Sequence, residues 1–292
     1  MIDQILGASD RWKDFKADLR VELKKVTSSD YKLLKNNKKY YDLHKGKRCF
    51  ILGNGPSLRS ENLSLLKDEI VFTVNQAARN PQFRELNSNY HFWADPIFFN
   101  INENAPEDVE LLNSMLAVGD FDPELQCFFP IDQKEFVEKF DIDKRMNVNY
   151  FCSNSYMYEG YSKKYDFTKR VVGFGTVVQW CIAMAIYMGI KEIYLLGCDN
   201  TGIITSVKSY LRKNDESDYF YKVTENEKKR LEKAVAVNSL EDYITSYLHT
   251  LQDYRRLFQY CSKRQIRLVN CSSETVIDSL PRKSMKEVLG IE

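Results

Sequence analysis

Buried-strand patterns alternate with helix patterns along most of this 292-residue chain, and no other feature constrains the fold as much. Helices are predicted near Ser57, from Thr176 to Met188 with Gly189 as the stop, and over DYITSYLHTLQDYRRLFQYCSKRQ, while VVGFG is interpreted as a turn. Strands are predicted at Cys49–Leu52, at Glu69–Gln76, within Tyr90–Phe99, at 125–130, at 148–152, at Glu192–Leu196 and in IRLVNCS. This order predicts a mostly parallel, doubly wound, Rossmann-like α/β sheet.

Two segments fall outside this rhythm. Residues 1–45 are predicted as an N-terminal helical extension, and residues 46–292 as a nucleotide-binding domain. The polar, Tyr-rich stretch of about residues 200–242 is predicted as a lid inserted into that domain, or alternatively as a solvated surface helix. Apolar residues recur at helical spacing in the extension at Ile2, Ile5, Leu6, Trp12, Phe15, Leu19 and Leu23. They predict a helix packed on the domain or on a second subunit, or one lying on a membrane surface with Trp and Phe opposite Lys.

Charge and composition exclude several classes of function. The 42 Lys and Arg almost balance the 41 Asp and Glu, so bulk positive charge for nucleic acid is missing and no nucleic-acid partner is expected. The chain has no apolar stretch of about 18 residues and no signal-peptide core, which predicts a cytoplasmic protein or one at the inner membrane face. Seven scattered cysteines without a C-x-x-C pair, and only three histidines, predict structural thiols and no metal site.

The motif GNGPSL, Gly53 to Leu58, follows the first strand and precedes a predicted helix. Gly53 and Gly55 permit positive φ and close approach of the backbone, and free N–H groups at the start near Ser57 would attract a phosphate. The amide of Asn54 could reach a phosphate or ribose oxygen. This is neither a P-loop nor a dinucleotide fingerprint, so we expect no Walker-type ATP or NAD site. The alternative is a tight turn with no ligand.

Polar side chains also follow the other strands. Asn75 and Gln76 end the second strand, and Asp95 precedes Pro96 after the third. The carboxyl ends of parallel strands meet at one edge of a sheet, so these groups predict a site for a base and a ribose. Further along, the same edge would receive Gly175, Thr176, Asp199, Asn200 and Thr201. Each of these residues alone is also a common cap or turn former.

Two residues are candidate general bases for a group transfer. His249 lies early in the long amphipathic helix, and an imidazole with a pKa near neutrality can accept the proton of an attacking hydroxyl. Asp199 could do the same, or bind a sugar hydroxyl or a metal. His44 and His91 are weaker candidates, because one lies in the extension and the other inside a strand.

The segments FILGNGPSL, VFTVNQ, FWADPIFF and AMAIYMGIKEIYLLGCD resemble, in order, the bacterial family-42 sialyltransferases. The run YRRLFQYCSKRQIRLVNCSSETVIDSLPRKSMKEVL is more similar to a broader superfamily, which contains the MAF flagellin glycosyltransferases and the MptE-like 6-hydroxymethylpterin diphosphokinases. The resemblance covers about Arg48 to Leu289. It implies a variant of the GT-A nucleotide-binding fold with a small lid, and a metal-independent enzyme with a CMP-activated acidic sugar as donor.

The resemblance also implies roles for particular residues. Asn54 and Ser57 would lie near the donor phosphate, Asn75 near the ribose or phosphate, and Thr176 near the donor, while His249 falls close to the lid histidine that acts as base. Two positions depart from the pattern. The asparagine before Pro-Ile is Asp95 here, and a tyrosine that contacts phosphate is replaced by Thr201. One of Tyr210, Tyr219 and Tyr221 in the insertion could substitute for it.

Three functions follow from these observations. The first is inverting transfer of a sugar from a nucleotide donor, with CMP favoured, to a bacterial surface glycan, with no obligatory cofactor. The second is an MptE-like transfer of diphosphate from ATP to a pterin alcohol, for which Asp95 and Asp199 would hold Mg²⁺. The third is a non-catalytic nucleotide-binding protein. A homo-oligomer and peripheral membrane contact through the N-terminal helix are further expectations.

Overall fold

The computed structural model describes residues 2–122, 124–210, 223–235 and 239–291, and these contain one eight-stranded sheet. Its strands run in the order β6-β5-β4-β3-β2-β1-β7-β8, and every neighbouring pair is parallel. The strands are β1 (Arg48–Leu52), β2 (Ile70–Val74), β3 (Tyr90–Phe92), β4 (Gln126–Pro130), β5 (Asn147–Tyr156), β6 (Arg170–Gly173), β7 (Glu192–Leu196) and β8 (Arg267–Asn270). The predicted parallel α/β sheet is confirmed.

Eight α-helices accompany the sheet in the described ranges. They are α1 (Ile2–Thr27), α2 (Pro106–Phe121), α3 (Lys134–Lys139), α4 (Val177–Tyr187), α5 (Gly202–Tyr210), α6 (Glu225–Val235), α7 (Leu240–Ser262) and α8 (Met285–Leu289). Side chains of β1 alternate between the two faces, so Cys49 and Ile51 join one apolar cluster while Phe50 and Leu52 join another. Helices therefore cover both faces of the sheet, which is the doubly wound arrangement.

Helix α4 forms the centre of the larger cluster and packs against β1, β2 and β3. Ten of its eleven residues are buried, which explains its nearly uninterrupted apolar sequence. Thr176 is its N-cap, and Gly189 follows it with a φ of 78°, a conformation that glycine adopts without strain. The predicted helix from Thr176 to Met188 and its glycine stop are thus confirmed.

Three details differ from the sequence predictions. The stretch predicted as a turn contains the strand β6. This strand has only four residues and ends in a glycine, a pattern that is also typical of a turn. The helix predicted near Ser57 is a five-residue 3-10 helix, Pro56–Ser60, so the α-helical N-terminus that would attract a phosphate is missing. In α1 the apolar face does not pack on the domain: Trp12, Phe15, Leu19 and Leu23 are exposed and the opposite face packs on the sheet, which leaves the alternatives of a second subunit and of a membrane surface open.

The remaining sequence expectations concern cysteines and the membrane. All seven cysteines are buried free thiols, as expected of small apolar packing groups. None of the described helices combines the length and apolar character that crossing a bilayer requires.

Candidate functional site

The chain reverses direction across the sheet between β1 and β7, and ligands of such sheets usually bind outside the carboxyl ends of the strands at this point. The turn after β1 lies there, and the N–H groups of its two glycines already have partners within the chain. Gly53 donates to the carbonyl oxygen of Leu196 at 2.8 Å, and Gly55 donates to that of Gly197 at 2.8 Å. The turn is therefore joined to the end of β7 by backbone hydrogen bonds.

The two glycines of this turn serve packing. Neither has a positive φ, contrary to one reason given for them from the sequence. A Cβ atom on Gly53 would lie 2.4 Å from the carbonyl oxygen of Gly197, and one on Gly55 would lie 2.5 Å from Cγ of Asp199. These positions require glycine because the segment after β7 approaches the turn too closely to leave room for a side chain.

Asp199, in the segment after β7, is also hydrogen-bonded to this turn. The Ser57 N–H donates to its Oδ2 at 2.7 Å, and the Ser57 hydroxyl donates to its Oδ1. The residue is 1% exposed, and desolvation raises the pKa of its carboxyl group while the bonds from Ser57 lower it. Both oxygens of the predicted base are engaged inside the protein.

A cavity of about 160 Å³ opens beside this turn, over the carboxyl ends of β1, β2 and β3. It therefore lies on the side of the turn that faces away from β7. Four residues predicted from the sequence meet in its wall: Asn54, Asn75, Gln76 and Asp95. The other described residues that line it are Arg79, Ile97, Phe98, Glu107, Leu111, Glu227 and Arg230.

Two asparagines in the wall carry buried oxygens that have no hydrogen-bond partner among the described residues. Asn54 donates from Nδ2 to the carbonyl oxygen of Val74 at 3.2 Å, which fixes its amide orientation and leaves Oδ1 as a lone acceptor. Asn75 has a left-handed φ of 49° and a buried Oδ1 without a donor. Buried polar atoms are nearly always paired in native proteins, so these two oxygens are acceptors that a ligand or water can satisfy.

Charged residues join α6 to the opposite wall of the cavity. Arg79 binds Glu227 of α6 at 2.9 Å and Glu110 of α2 at 3.3 Å, and its Nε donates to Gln76 Oε1 at 2.6 Å. Arg230 of α6 binds Asp108 at 2.7 Å. The arginine side chains are 13% exposed, so these pairs are largely shielded from water. Helix α6 belongs to the predicted lid and lies against the cavity.

Asp95 stands at the edge of the cavity as the cap of the 3-10 helix Pro96–Phe98. Its Oδ1 accepts the Ile97 N–H at 3.1 Å. Desolvation by the surrounding wall raises the pKa of this carboxyl group, whereas the Ile97 N–H and the charge of Arg230 lower it. Side chains of His, Cys, Asp and Glu form no group of three suited to a metal ion in the part of the chain that the structure describes.

The second glycine turn, at Gly175, lies after β6 and does not line the cavity described above. Its N–H donates to Oδ2 of Asp253 in α7 at 3.2 Å, and a Cβ atom on Gly175 would lie 2.6 Å from Oγ1 of Thr250. Thr176 donates its own N–H to Gln179 Oε1 at 3.1 Å as the cap of α4. Both predicted residues thus have partners within the fold.

The last predicted residues lie after β7 and on α7, and the described wall of the cavity includes none of them. Asn200 has a φ of 55° and a buried Nδ2 without a partner among the described residues, while the carbonyl oxygen of Thr201 accepts the Ile204 N–H at 2.8 Å. His249 is exposed, and its ring lies 6.3 Å from that of Tyr156. Tyr219 and Tyr221 lie outside the described residues, as does the side chain of Tyr210.

Sequence reasoning missed several charged residues near these sites. Arg79 lies only four residues after Asn75 in the sequence. This short distance could have identified Arg79 as a residue near the predicted site. Arg230 and Glu227 come from the charged insertion, where no pattern separates them from their neighbours. Asp253 is 2% exposed, and desolvation raises its pKa to about 6.

The weaker histidines have structural surroundings. His91 is fully buried, with Nδ1 at 2.9 Å from the hydroxyl oxygen of Thr73, and desolvation lowers its pKa to about 3, so the ring stays neutral. His44 Nε2 lies 2.7 Å from the hydroxyl oxygen of Tyr90, and desolvation lowers its pKa.

The fold and this edge define an α/β protein with a ligand-type cavity beside its topological switch point. Residues 20–201, more than half of the chain, match the family model described as 6-hydroxymethylpterin diphosphokinase MptE-like. The chain belongs to this MptE-like family, which confirms that part of the resemblance. No curated protein matches the sequence.

Solved structures that resemble the chain include three bacterial transferases. The sialyltransferase CstII from Campylobacter jejuni, in complex with cytidine-5′-monophosphate, is 19% identical over 82% of this chain and 85% of its own, with a TM-score of 0.45. The α-2,3-sialyltransferase Cst-I from the same organism is 17% identical over 81% and 80%, with a TM-score of 0.46. The MAf glycosyltransferase from Magnetospirillum magneticum is 12% identical over 87% of this chain and 38% of its own, with a TM-score of 0.47.

Proposed function

We propose that this protein is a glycosyltransferase that transfers a sugar from a nucleotide-activated donor, with a CMP-linked sugar favoured, to a glycan. The observation that carries the proposal is that the amide oxygens of Asn54 and Asn75 in the cavity wall have no hydrogen-bond partner in the described part of the chain. Both need a hydrogen-bond donor, and ribose hydroxyls or the amino group of a base supply one. The motif resemblance assigns the same two asparagines to the nucleotide.

The wall contains the two arginines Arg79 and Arg230 and the three carboxylates Asp95, Glu107 and Glu227, so an anionic ligand would bind there by displacing a carboxylate from an arginine. Arg79 is held by Glu227 and Glu110, and a phosphate of the donor would replace Glu227 as its partner. A guanidinium beside the departing phosphate would also stabilise the charge that develops in the transition state.

The size of the cavity supports a moving lid. Pockets for small molecules usually enclose about 300–1,000 Å³, and this cavity of about 160 Å³ is smaller. Exchange of Glu227 for a phosphate would release α6 from Arg79, and an outward shift of α6 would enlarge the cavity. In the closed form, α6 would be held by the ion pair between Arg230 of α6 and Asp108 of α2.

His249 is the better of the two candidate bases, because Asp199 is 1% exposed and both of its oxygens accept hydrogen bonds from Ser57. The imidazole is exposed on α7 outside the cavity wall, so in this role it would meet the hydroxyl of the glycan where the donor sugar extends beyond the cavity. In this role it takes the acceptor proton as the hydroxyl attacks the anomeric carbon, and the nucleotide phosphate leaves from the opposite face.

The family match favours a second candidate, transfer of diphosphate from ATP to a pterin alcohol. This reaction requires Mg²⁺, which neutralises the charge of the transferred group. Asp95 and Glu107 of the cavity wall would hold the ion together with phosphate oxygens and waters, a common environment for Mg²⁺. Asp199, expected from the sequence as a second ligand, does not fit because its oxygens are bound to Ser57.

Calorimetric titration with CMP, UDP, GDP and ATP tests nucleotide binding, and turnover of CMP-sugars and of ATP with and without EDTA separates the functions. The proposal predicts that CMP binds and that sugar transfer survives EDTA. ATP turnover that EDTA abolishes would establish the second candidate, and binding without turnover would indicate a non-catalytic protein. Failure of all four nucleotides to bind would refute the proposed site.

His249→Ala tests the base. Loss of a general base lowers the rate of transfer by about 100-fold or more. We expect this loss with nucleotide affinity unchanged, and Thr245→Ala, at another exposed position of α7, serves as the matched control. Full transfer by His249→Ala would remove this residue from the mechanism.

A further inference from the structure

Helix α1 presents an apolar stripe to solvent. Trp12, Phe15, Leu19 and Leu23 follow one another at spacings of three or four residues, so they share one face of the helix. Each of these four residues is more than half exposed. The rings of Trp12 and Phe15 stack at 5.6 Å, which makes this end of the stripe a continuous aromatic surface.

Ion pairs on the opposite face fix the rotation of the helix. Asp14 is fully buried and binds Arg170, and it also binds Lys163 at 2.6 Å. Asp18, one turn further along, binds Arg170 at 2.7 Å, and Ala17 is buried between them. These contacts attach α1 to β6 and to the segment before it. The apolar stripe is therefore held outward by the fold.

Basic residues border the stripe. Lys13, Lys16 and Arg20 each follow a stripe residue by one position, and all three are exposed. The Nζ of Lys16 lies 5.2 Å from the centre of the Trp12 ring, which directs this charge along the apolar face. Asp14 and Asp18 bind Arg170 on the side of the protein body, whereas the exposed Glu22 lies on the other border of the stripe, so the basic residues line one border only.

We propose that α1 binds the surface of a membrane that contains anionic phospholipid. The stripe would enter the boundary between headgroups and acyl chains, while the lysines and arginine contact lipid phosphates. Charge complementarity favours anionic lipid over a second copy of the chain, because an antiparallel face-to-face pair of α1 helices would place the borders formed by Lys13, Lys16 and Arg20 against each other. This inference rests on α1 alone and holds whichever reaction the cavity supports.

Tryptophan fluorescence tests the contact directly. Trp93 and Trp180 are 0% and 5% exposed, so a change of solvent at the surface affects Trp12 alone among the three tryptophans of the chain. Vesicles that contain phosphatidylglycerol should shift the emission of the full-length protein to shorter wavelength, and the protein should float with them in a density gradient. Vesicles of pure phosphatidylcholine should have a much weaker effect, and added salt should weaken the anionic binding.

Substitutions locate the surface. The double variant Leu19→Glu and Leu23→Glu should lower vesicle partitioning by about tenfold or more, because two apolar anchors are lost. Lys16→Glu and Arg20→Glu should each lower it by about fivefold or more on anionic vesicles. Leu43→Glu changes a leucine of similar exposure outside α1 and should partition normally. Circular dichroism of each variant checks that the fold is kept.

Two results would overturn the proposal. One is an emission and flotation profile that anionic vesicles leave unchanged. The other is a dimer, detected by light scattering, that the Leu19 and Leu23 substitutions dissociate, which would assign the stripe to a second copy of the chain.

Discussion

The two sides of the β1 turn differ in how their polar groups are satisfied. On the β7 side, the N–H groups of Gly53, Gly55 and Ser57 all have partners within the chain. On the β2 and β3 side, the amide oxygens of Asn54 and Asn75 are buried without partners among the described residues. The glycines close one side by packing, and the asparagines leave the other side ready for a ligand. A glycine-rich turn at a strand end is thus not in itself a phosphate site.

The Gly175 turn repeats the pattern of the β7 side. Its N–H donates to Asp253, and its missing side chain leaves room for Thr250 of α7. Glycine turns at both places attach one part of the fold to another. The groups suited to bind a ligand are instead side-chain amides and arginines, and they line the cavity beside the β1 turn.

The largest effect should come from adding a methyl group on the packed side. Gly53→Ala would place Cβ 2.4 Å from the carbonyl oxygen of Gly197, and backbone cannot yield as a flexible side chain does. We expect the free energy of unfolding to fall by about 3 kcal/mol or more, measured by urea denaturation.

Gly46→Ala is the control for this substitution. Gly46 has a φ of 78° but no atom within 4 Å of the added Cβ, so only the cost of the left-handed conformation applies, about 1 kcal/mol. Equal unfolding midpoints for Gly53→Ala and the unsubstituted protein would show that the contact with Gly197 does not constrain the turn.

A second prediction concerns Asp253, which supports the Gly175 turn. Desolvation raises its pKa to about 6 from an ordinary value of 3.8, although Arg256 and the Gly175 N–H lower it. The folded protein therefore retains this proton at pH values where the unfolded chain has released it. Stability should fall as the pH rises from about 4 to about 6, by up to about 3 kcal/mol.

Asp253→Asn removes the ionisable group and isolates this contribution. The difference in unfolding free energy between the two proteins, measured in urea at pH 4, 5 and 6.5, should change in favour of the variant as the pH rises. A difference that stays constant with pH would contradict the raised pKa. Other carboxyl groups titrate in both proteins and cancel in the comparison.

The sequence predicted the sheet well because strand and helix periods are local. Every strand except β6 was recognised, and Thr176 and Gly189 marked the ends of α4. The site was harder, since the partners of a turn are set by topology. Nothing near GNGPSL in the sequence shows that Gly197 and Asp199 occupy its donors. The pairing of Arg79 with Glu227 joins residues 148 positions apart, which no periodicity encodes.

The same limit applies to α1. Helical spacing correctly grouped Trp12, Phe15, Leu19 and Leu23, but spacing does not show which face meets the protein. The orientation of α1 depends on Arg170, which binds Asp14 and lies in β6, the strand whose sequence predicts a turn. Because the sequence of β6 predicts a turn, it does not show the ion pairs that hold the apolar face of α1 outward.

The smallest effect on stability should come from the open side of the β1 turn. Asn54→Ala removes one hydrogen bond to Val74 and a buried acceptor that no described residue satisfies, so the free energy of unfolding should change by less than about 1 kcal/mol. Affinity for the nucleotide that binds in calorimetry should nevertheless fall by about tenfold, as expected for one lost hydrogen bond.

Asn100→Ala, at an exposed position after the 3-10 helix Pro96–Phe98, should leave both quantities unchanged. This combination separates the two sides of the turn, because Gly53→Ala acts on stability whereas Asn54→Ala acts on binding. If Asn54→Ala bound the nucleotide as tightly as the unsubstituted protein, its unpartnered oxygen would serve no ligand, and the distinction between a packed side and a binding side would fail.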